Sequence, residues 1–165
     1  MYQHILLAVA LQRWEGFSPH ALASRDAAVA LAKGAGAKLS VLSVYEYDDL
    51  DGSGLAPEEL GRFRETQMQR TDALMEQKLR AFLDGVPTDG IPITPMLKVG
   101  EARPQIIHTA ESLGVDLLII GAHSKRSFLD VLLGGTAAYI GRHAVCPVVM
   151  VQPGPEVKQL TPVTD

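Results

Sequence analysis

Gly121-Ala122-His123-Ser124 and, after nine intervening residues, Gly134-Gly135-Thr136 are the residues whose types and spacing point most directly to chemistry. They follow an apolar run, Val115-Asp116-Leu117-Leu118-Ile119-Ile120, that reads as a fully buried strand. A strand ending in glycine, then a spacer, then small residues opening a helix, holds phosphate on backbone N–H groups. Glycine suits such a place because it permits positive φ and close approach of backbone to ligand. His123 can donate to a phosphate or act as a pH-sensitive contact, or stand as an ordinary surface histidine. Lys125 and Arg126 can neutralise phosphate charge, although lone charges on a loop more often sit in water.

Other chemistries find no carriers. His4, His20, His108 and His143 show no ligand spacing with one another or with Cys146, the one cysteine, so no metal centre is expected. Cys146, just before Pro147 at the start of a strand, reads as a small core residue rather than a reactive thiol. No serine sits in a nucleophile elbow, Ser127 has no histidine paired with it in sequence, and no pair of carboxylates stands out. No catalytic residue is assigned, and an enzyme is not expected.

The elements that must position these residues alternate between strand and helix. Ile5 to Val9 reads as the first strand. Ser18-Pro19 reads as an N-cap followed by proline in the first helical position. Ala28, Leu31, Ala32 and Ala35 then lie on one helix face, and Gly34 and Gly36 stop that helix. Leu39 to Val44 is a second strand, and the polar stretch Tyr47 to Gly54 is a loop. Pro57-Glu58-Glu59 opens a long helix to about Leu83, with acids where the helix dipole favours them. Ile91 to Val99 is a third strand, placed at an edge by Pro92 and Pro95. Gly100 to Arg103 is a turn, and Pro104 starts a helix. Val115 to Ile120 is the fourth strand, about Thr136 to His143 a helix, and Pro147 to Val151 the fifth strand. Residues 1–151 thus form one domain, and the proline-bearing tail, 152–165, is expected to be disordered.

This alternation predicts an α/β fold with a parallel sheet covered on both faces. Ligands of such sheets bind at the carboxyl ends of the strands, where strand order reverses. Ala8-Val9-Ala10, Val44-Tyr45, Val99-Gly100 and Gly121 should therefore converge. Val44 and Ile120 can flank a flat base there, but they would be apolar in any buried strand. Arg103 stands near the expected crevice. Trp14 and Phe17 follow the first strand and can lid a pocket, meet a partner or pack on the neighbouring helix, the last being favoured.

Composition sets the outer limits. In 165 residues, 47% hydrophobic and 21% charged, there is enough chain for one cored domain. A net charge of −4 without a basic stripe argues against nucleic acid as partner. One cysteine allows no internal disulfide, and the first residues lack the pattern of a signal peptide. No apolar run reaches the length needed to cross a bilayer. A cytoplasmic protein with no membrane insertion is the expectation.

From Ile5 to about Val151 the chain resembles the universal stress protein family. The resemblance is carried by His4-Ile5-Leu6-Leu7-Ala8-Val9, by Gly36-Ala37-Lys38-Leu39-Ser40-Val41-Leu42-Ser43-Val44, and by Val99-Gly100-Glu101-Ala102-Arg103-Pro104. It continues through Val115 to Gly121 and from Leu132-Leu133-Gly134 through Arg142-His143-Ala144-Val145-Cys146-Pro147-Val148. It implies a single-domain, open five-stranded parallel sheet, Rossmann-like and of the adenine nucleotide alpha-hydrolase-like type. It also implies a homodimer, paired through the last strand, that acts in stress adaptation with an unidentified regulatory partner. Members that bind ATP carry a glycine, two residues, a second glycine, nine residues, then glycine and a hydroxyl residue, with an aspartate just after the first strand.

Gly121 and Gly134 match that pattern, whereas Ser124, Gly135 and Ala10 depart from it. A serine hydroxyl at 124 can itself donate to phosphate, and Thr136 follows one residue after the missing hydroxyl. Each such loss costs about 0.5–1.5 kcal/mol. Ala10 is the more serious departure, since it can neither accept from a ribose hydroxyl nor hold a metal. The expected ligand site is Ala10, Val44, Ile120, Gly121, His123, Ser124, Lys125, Gly134, Gly135 and Thr136. The expected cofactor is ATP or another adenine nucleotide, bound weakly without rapid turnover, with Mg as an accompanying ion. The alternative is a dimeric interaction protein of the same family that binds no nucleotide.

Overall fold

The computed structural model describes residues 1–11, 13, 16–49, 51–121 and 135–154. Five strands form one parallel sheet: β1 His4–Ala8, β2 Lys38–Tyr45, β3 Ile93–Val99, β4 Leu117–Gly121 and β5 Val148–Val151. Their spatial order is β3-β2-β1-β4-β5. The helices among the described residues are α1 Pro19–Ala35, α2 Pro57–Leu83, α3 Ala102–Leu113 and α4 Thr136–His143. Ile5 of the central strand lies opposite Leu39 on one side and Leu117 on the other.

The two-residue period of the strands splits the core between the two faces of the sheet. Ile5, Leu7, Leu39, Val41, Leu117 and Ile119 pack under α1 and α2 against Ala28, Ala32, Met75, Leu79 and Phe82. Leu6, Ala8, Leu42, Leu118 and Ile120 pack under α3 and α4 against Ile106, Ala110 and Ile140. Strands apolar on both faces are what a sheet covered by helices on both sides requires.

Local signals explain where the elements begin and end. The Ser18 hydroxyl oxygen accepts from the Ala21 N–H at 3.1 Å, with Pro19 in the first helical position. Gly36 closes α1 in the left-handed conformation at φ 64°. Gly34, expected to share that role, lies inside the helix, where glycine costs up to about 1 kcal/mol but breaks nothing. At the start of α2, Glu59 Oε2 accepts from the Ala56 N–H at 3.2 Å. Helix α3 begins at Ala102 rather than Pro104. Proline fits the third helical position because N–H groups of the first turn have no intrahelical acceptor.

Pro95 also finds its reason in the ladder. At one end Leu39 N–H donates to Pro92 O at 2.9 Å, and at the other Gly100 N–H donates to Tyr45 O at 2.9 Å. Even-numbered residues of β3 therefore turn their backbone groups toward β2, and Pro95 turns its nitrogen to the open side. A residue without an N–H costs no ladder bond there, and it interrupts the exposed edge.

From β1 the chain runs outward through β2 to β3, then crosses back to β4 on the other side of β1. Strand order thus reverses between β1 and β4, and a crevice opens at their carboxyl ends.

Candidate functional site

A cleft lies at that reversal. Ala8, Val9 and Ala10 leave β1 on one side of it, Ile120 and Gly121 end β4 on the other, and Val44 reaches it from β2. Ser18, His20, Ala21 and Ser24 of α1 form one wall. Ala102 and Ile106 of α3, with Thr136 and Ala137 of α4, form the opposite one. The floor is apolar, with Val9 and Ile120 buried, while the polar residues Ser18, His20, Ser24 and Thr136 come from the beginnings of α1 and α4. The cavity measures about 130 Å³. Pockets that enclose a whole small ligand run to ~300–1,000 Å³, so a cleft of this size has room for only part of one.

Two glycines of the motif have distinct physical settings. A Cβ built on Gly121 would lie 3.4 Å from the His20 carbonyl oxygen and 3.6 Å from Ser24 Oγ. The end of β4 thus packs against the first turns of α1, at distances a Cβ would meet as ordinary van der Waals contact. Gly135 stands before α4 at φ 113° and ψ 179°, a conformation that only glycine adopts readily. Its carbonyl accepts the first α4 hydrogen bond, from the Tyr139 N–H at 3.2 Å. The hydroxyl missing at position 135 is therefore a backbone requirement of this chain. Among the described residues no side chain caps α4, whose first two residues, Thr136 and Ala137, line the cleft. The leading N–H groups of a helix are its anion-attracting end.

Of the residues expected to form the site, Ala10, Val44, Ile120, Gly121 and Thr136 line one cleft. Gly135 adjoins it through Thr136. His123, Ser124, Lys125 and Gly134 lie outside the described residues, as do Arg126, Trp14 and residues 155–165 of the tail. Tyr45, Val99 and Gly100, expected to converge there, are absent from the lining. Tyr45 instead donates through its hydroxyl to Asp72 Oδ1 at 2.6 Å, and Tyr47 does so at 2.7 Å. Burial first, then the bond to Asp72, pushes the Tyr45 hydroxyl well above the usual tyrosine range.

Arg103 also turns elsewhere, its guanidinium 6.0 Å from the centre of the Tyr139 ring. Phe17 packs edge-on against Phe82 with ring centres 5.1 Å apart, as the favoured reading had it. Cys146 is half-buried, and burial raises its thiol above the ordinary range, which suits an unreactive group. His4 bonds Ser40 through Nε2 at 2.9 Å. Among the described residues no three His, Cys, Asp or Glu side chains gather as a metal site. Among them, too, no helix is long and apolar enough to cross a membrane.

The α1 wall was missed by the sequence reading. Ser18-Pro19 marked where the helix starts, so its first turn had to stand close to the end of β1. That signal identifies Ser18 and His20 as neighbours of the cleft, but not which strand end they lean on.

The sequence profile described as "Universal stress protein family" matches residues 1–152. A universal stress protein A-like protein of Arabidopsis thaliana is 24% identical over 106 residues, 64% of this chain and 58% of its own length. Universal stress protein G of Shigella flexneri is 31% identical over 77 residues, 47% of this chain and 54% of its own. The chain thus spans somewhat over half the length of these two relatives. Among solved structures, a universal stress protein in complex with cAMP superposes with a TM-score of 0.64 at 21% identity. That likeness covers 93% of this chain and 99% of the other. An Arabidopsis thaliana family protein with AMP bound gives 0.57 at 17% identity, over 99% of both chains. Likeness at such identity shows a shared fold.

Proposed function

The chain belongs to the universal stress protein family, and on that premise we propose that it is a nucleotide-responsive regulatory module of stress adaptation. In this reading the cleft between β1 and β4 binds an adenine nucleotide weakly and without rapid turnover. The observation that carries it is the cleft itself: apolar Val9, Val44 and Ile120 line it together with Thr136 at the start of α4. An apolar slot takes the flat base, and helix N–H groups take an anion. Structural neighbours solved with cAMP, dAMP and AMP support the ligand class. We place Mg as a companion of the di- and triphosphates and the protein in the cytoplasm, working as a homodimer paired along β5 with a regulatory protein as its target.

Calorimetry with AMP, ADP and ATP, with and without Mg, tests the reading. Binding in the micromolar to millimolar range is expected, and no heat at millimolar nucleotide refutes it. Ala10 favours a second reading, an interaction protein of the same fold that binds no nucleotide, because it brings no acceptor for a ribose hydroxyl to the rim of the cleft.

A further inference from the structure

The chain leaving β1 and the end of β2 both line the cleft, through Val9 and Ala10 on one and Val44 on the other. Backbone pairing holds them together only part of the way. Among the described residues, the last backbone bond between them runs from the Val9 N–H to Leu42 O at 2.9 Å. Beyond it a side chain takes over. Arg13 donates through Nη2 to the Glu46 carbonyl oxygen and through Nη1 to Asp48 Oδ2 at 2.5 Å. Its side chain is 15% exposed, whereas that of Asp48 is 65% exposed and meets water. A planar guanidinium can serve two acceptors from one rigid fork, which an ammonium on a flexible stem does less well. The segment that Arg13 grips is anchored from its other side, because Tyr45 and Tyr47 both donate to Asp72 Oδ1 of α2. Residues 45 to 48 are thus tied alternately to α2 and to Arg13.

Resting on the nucleotide reading above, we propose that Arg13 is a positioning residue for the cleft. It holds the chain after β1 against the anchored end of β2, and so sets the spacing of Val9 and Ala10 from Val44. Arg13 does not itself line the cleft, so its effect passes through the backbone on which Val9 and Ala10 stand. A slot held open at the right width binds more tightly than one that the ligand must first order. The base and sugar feel that width, so AMP and adenosine respond alike.

Dissociation constants for AMP and adenosine are measured by calorimetry for the wild type, Arg13→Gln, Arg13→Lys and Asp48→Asn, with urea unfolding of each. Arg13→Gln is expected to weaken both ligands about tenfold. Asp48→Asn keeps the bond to the Glu46 carbonyl and weakens both by about threefold or less, as suits an exposed ion pair. Arg13→Lys, which keeps the charge and loses the fork, falls close to Arg13→Gln. Urea midpoints stay near that of the wild type. A loss confined to AMP, or full rescue by lysine, overturns the role, because Arg13 would then act on the phosphate as a charge. Unchanged affinities overturn it as well, and so does a large fall in the urea midpoint, which would make Arg13 a support of the whole fold. If neither ligand binds the wild type at millimolar concentration, the nucleotide reading falls, and this proposal with it.

Discussion

Single residues set how this protein responds to acid and how its cleft is framed. His4 is 6% exposed. Burial first, then the Lys38 charge, lowers its pKa below 6.5, against the opposing pull of a Leu113 backbone bond and the Asp116 charge. The unfolded chain then takes up the proton before the folded one does. Stability is therefore full above the unfolded value of 6.5 and declines as pH falls toward the folded one. Urea midpoints should drop between about pH 7 and about pH 5, and His4→Gln should flatten that slope; an unchanged slope in the variant refutes the assignment. Asp116 acts in a separate window. Burial alone would raise its pKa, but it accepts from the Gln3 N–H at 2.8 Å and the His4 N–H at 3.2 Å, and the net shift is down. Its contribution is present above 3.8 and is lost only as pH falls through its lower folded value. Gly135 supplies a third residue-scale test. Gly135→Ala forces a side chain into φ 113° and should cost about 1–3 kcal/mol by urea unfolding, with weaker AMP binding as α4 loses its starting geometry.

At the scale of elements, the two edges of the sheet are built to opposite ends. Pro95 interrupts the open side of β3, and Gln105 Nε2 donates to Val99 O at 3.3 Å at its far end. Strand β5 is Val148-Val149-Met150-Val151, with neither proline nor charge, and Met150 is exposed. An apolar edge strand invites pairing, and a charge placed on it blocks that pairing. Sedimentation at micromolar concentration should find a dimer for the wild type and a monomer for Met150→Arg, with the variant's melting temperature little changed. A wild-type monomer refutes the pairing. Helix α2 is uneven in another way. Its buried residues are Met75, Leu79 and Phe82, all toward its carboxyl end, whereas Phe63 near its start is exposed. Phe82→Ala should cost about 3–5 kcal/mol and Phe63→Ala less than about 0.5, so comparable losses in urea unfolding would refute an anchor at one end only. Much of this was legible in the sequence: Pro95 marked the edge, and Ser18 and Gly36 marked the limits of α1. The strand ends shifted by a residue or two because Val9, Val115 and Pro147 are as apolar as their neighbours yet lie beyond the strand bounds.

At the scale of the whole molecule, the site exists because chain order and spatial order differ. Residues 8–10, 44, 120–121 and 136–137 are scattered in sequence and meet where β1 and β4 part company. The rule for open parallel sheets alone brings five of these residues together, Ala8, Val9, Ala10, Val44 and Gly121. The α1 wall escaped it because α1 leaves β1 to lead into β2, yet its first turn leans on the end of β4 at Gly121. That lean is a property of the crossover and of the twist between strands, which no local pattern encodes. It also has a thermodynamic consequence. A ligand seated among β1, β2, β4, α1, α3 and α4 touches both cores at once, so it cannot bind once either has come apart. Binding to the folded state alone then stabilises the whole chain by RT ln(1 + [L]/Kd), about 1.4 kcal/mol at ten times the dissociation constant. For a chain of this size that corresponds to a rise in Tm of roughly 3–6 °C in a single cooperative transition. Differential scanning calorimetry at rising AMP concentration should show one peak moving upward as a unit. A peak that splits, with one part unmoved, would mean that the ligand holds only one side of the sheet, and the cleft would then have to be redrawn within α1 and α2 or within α3 and α4.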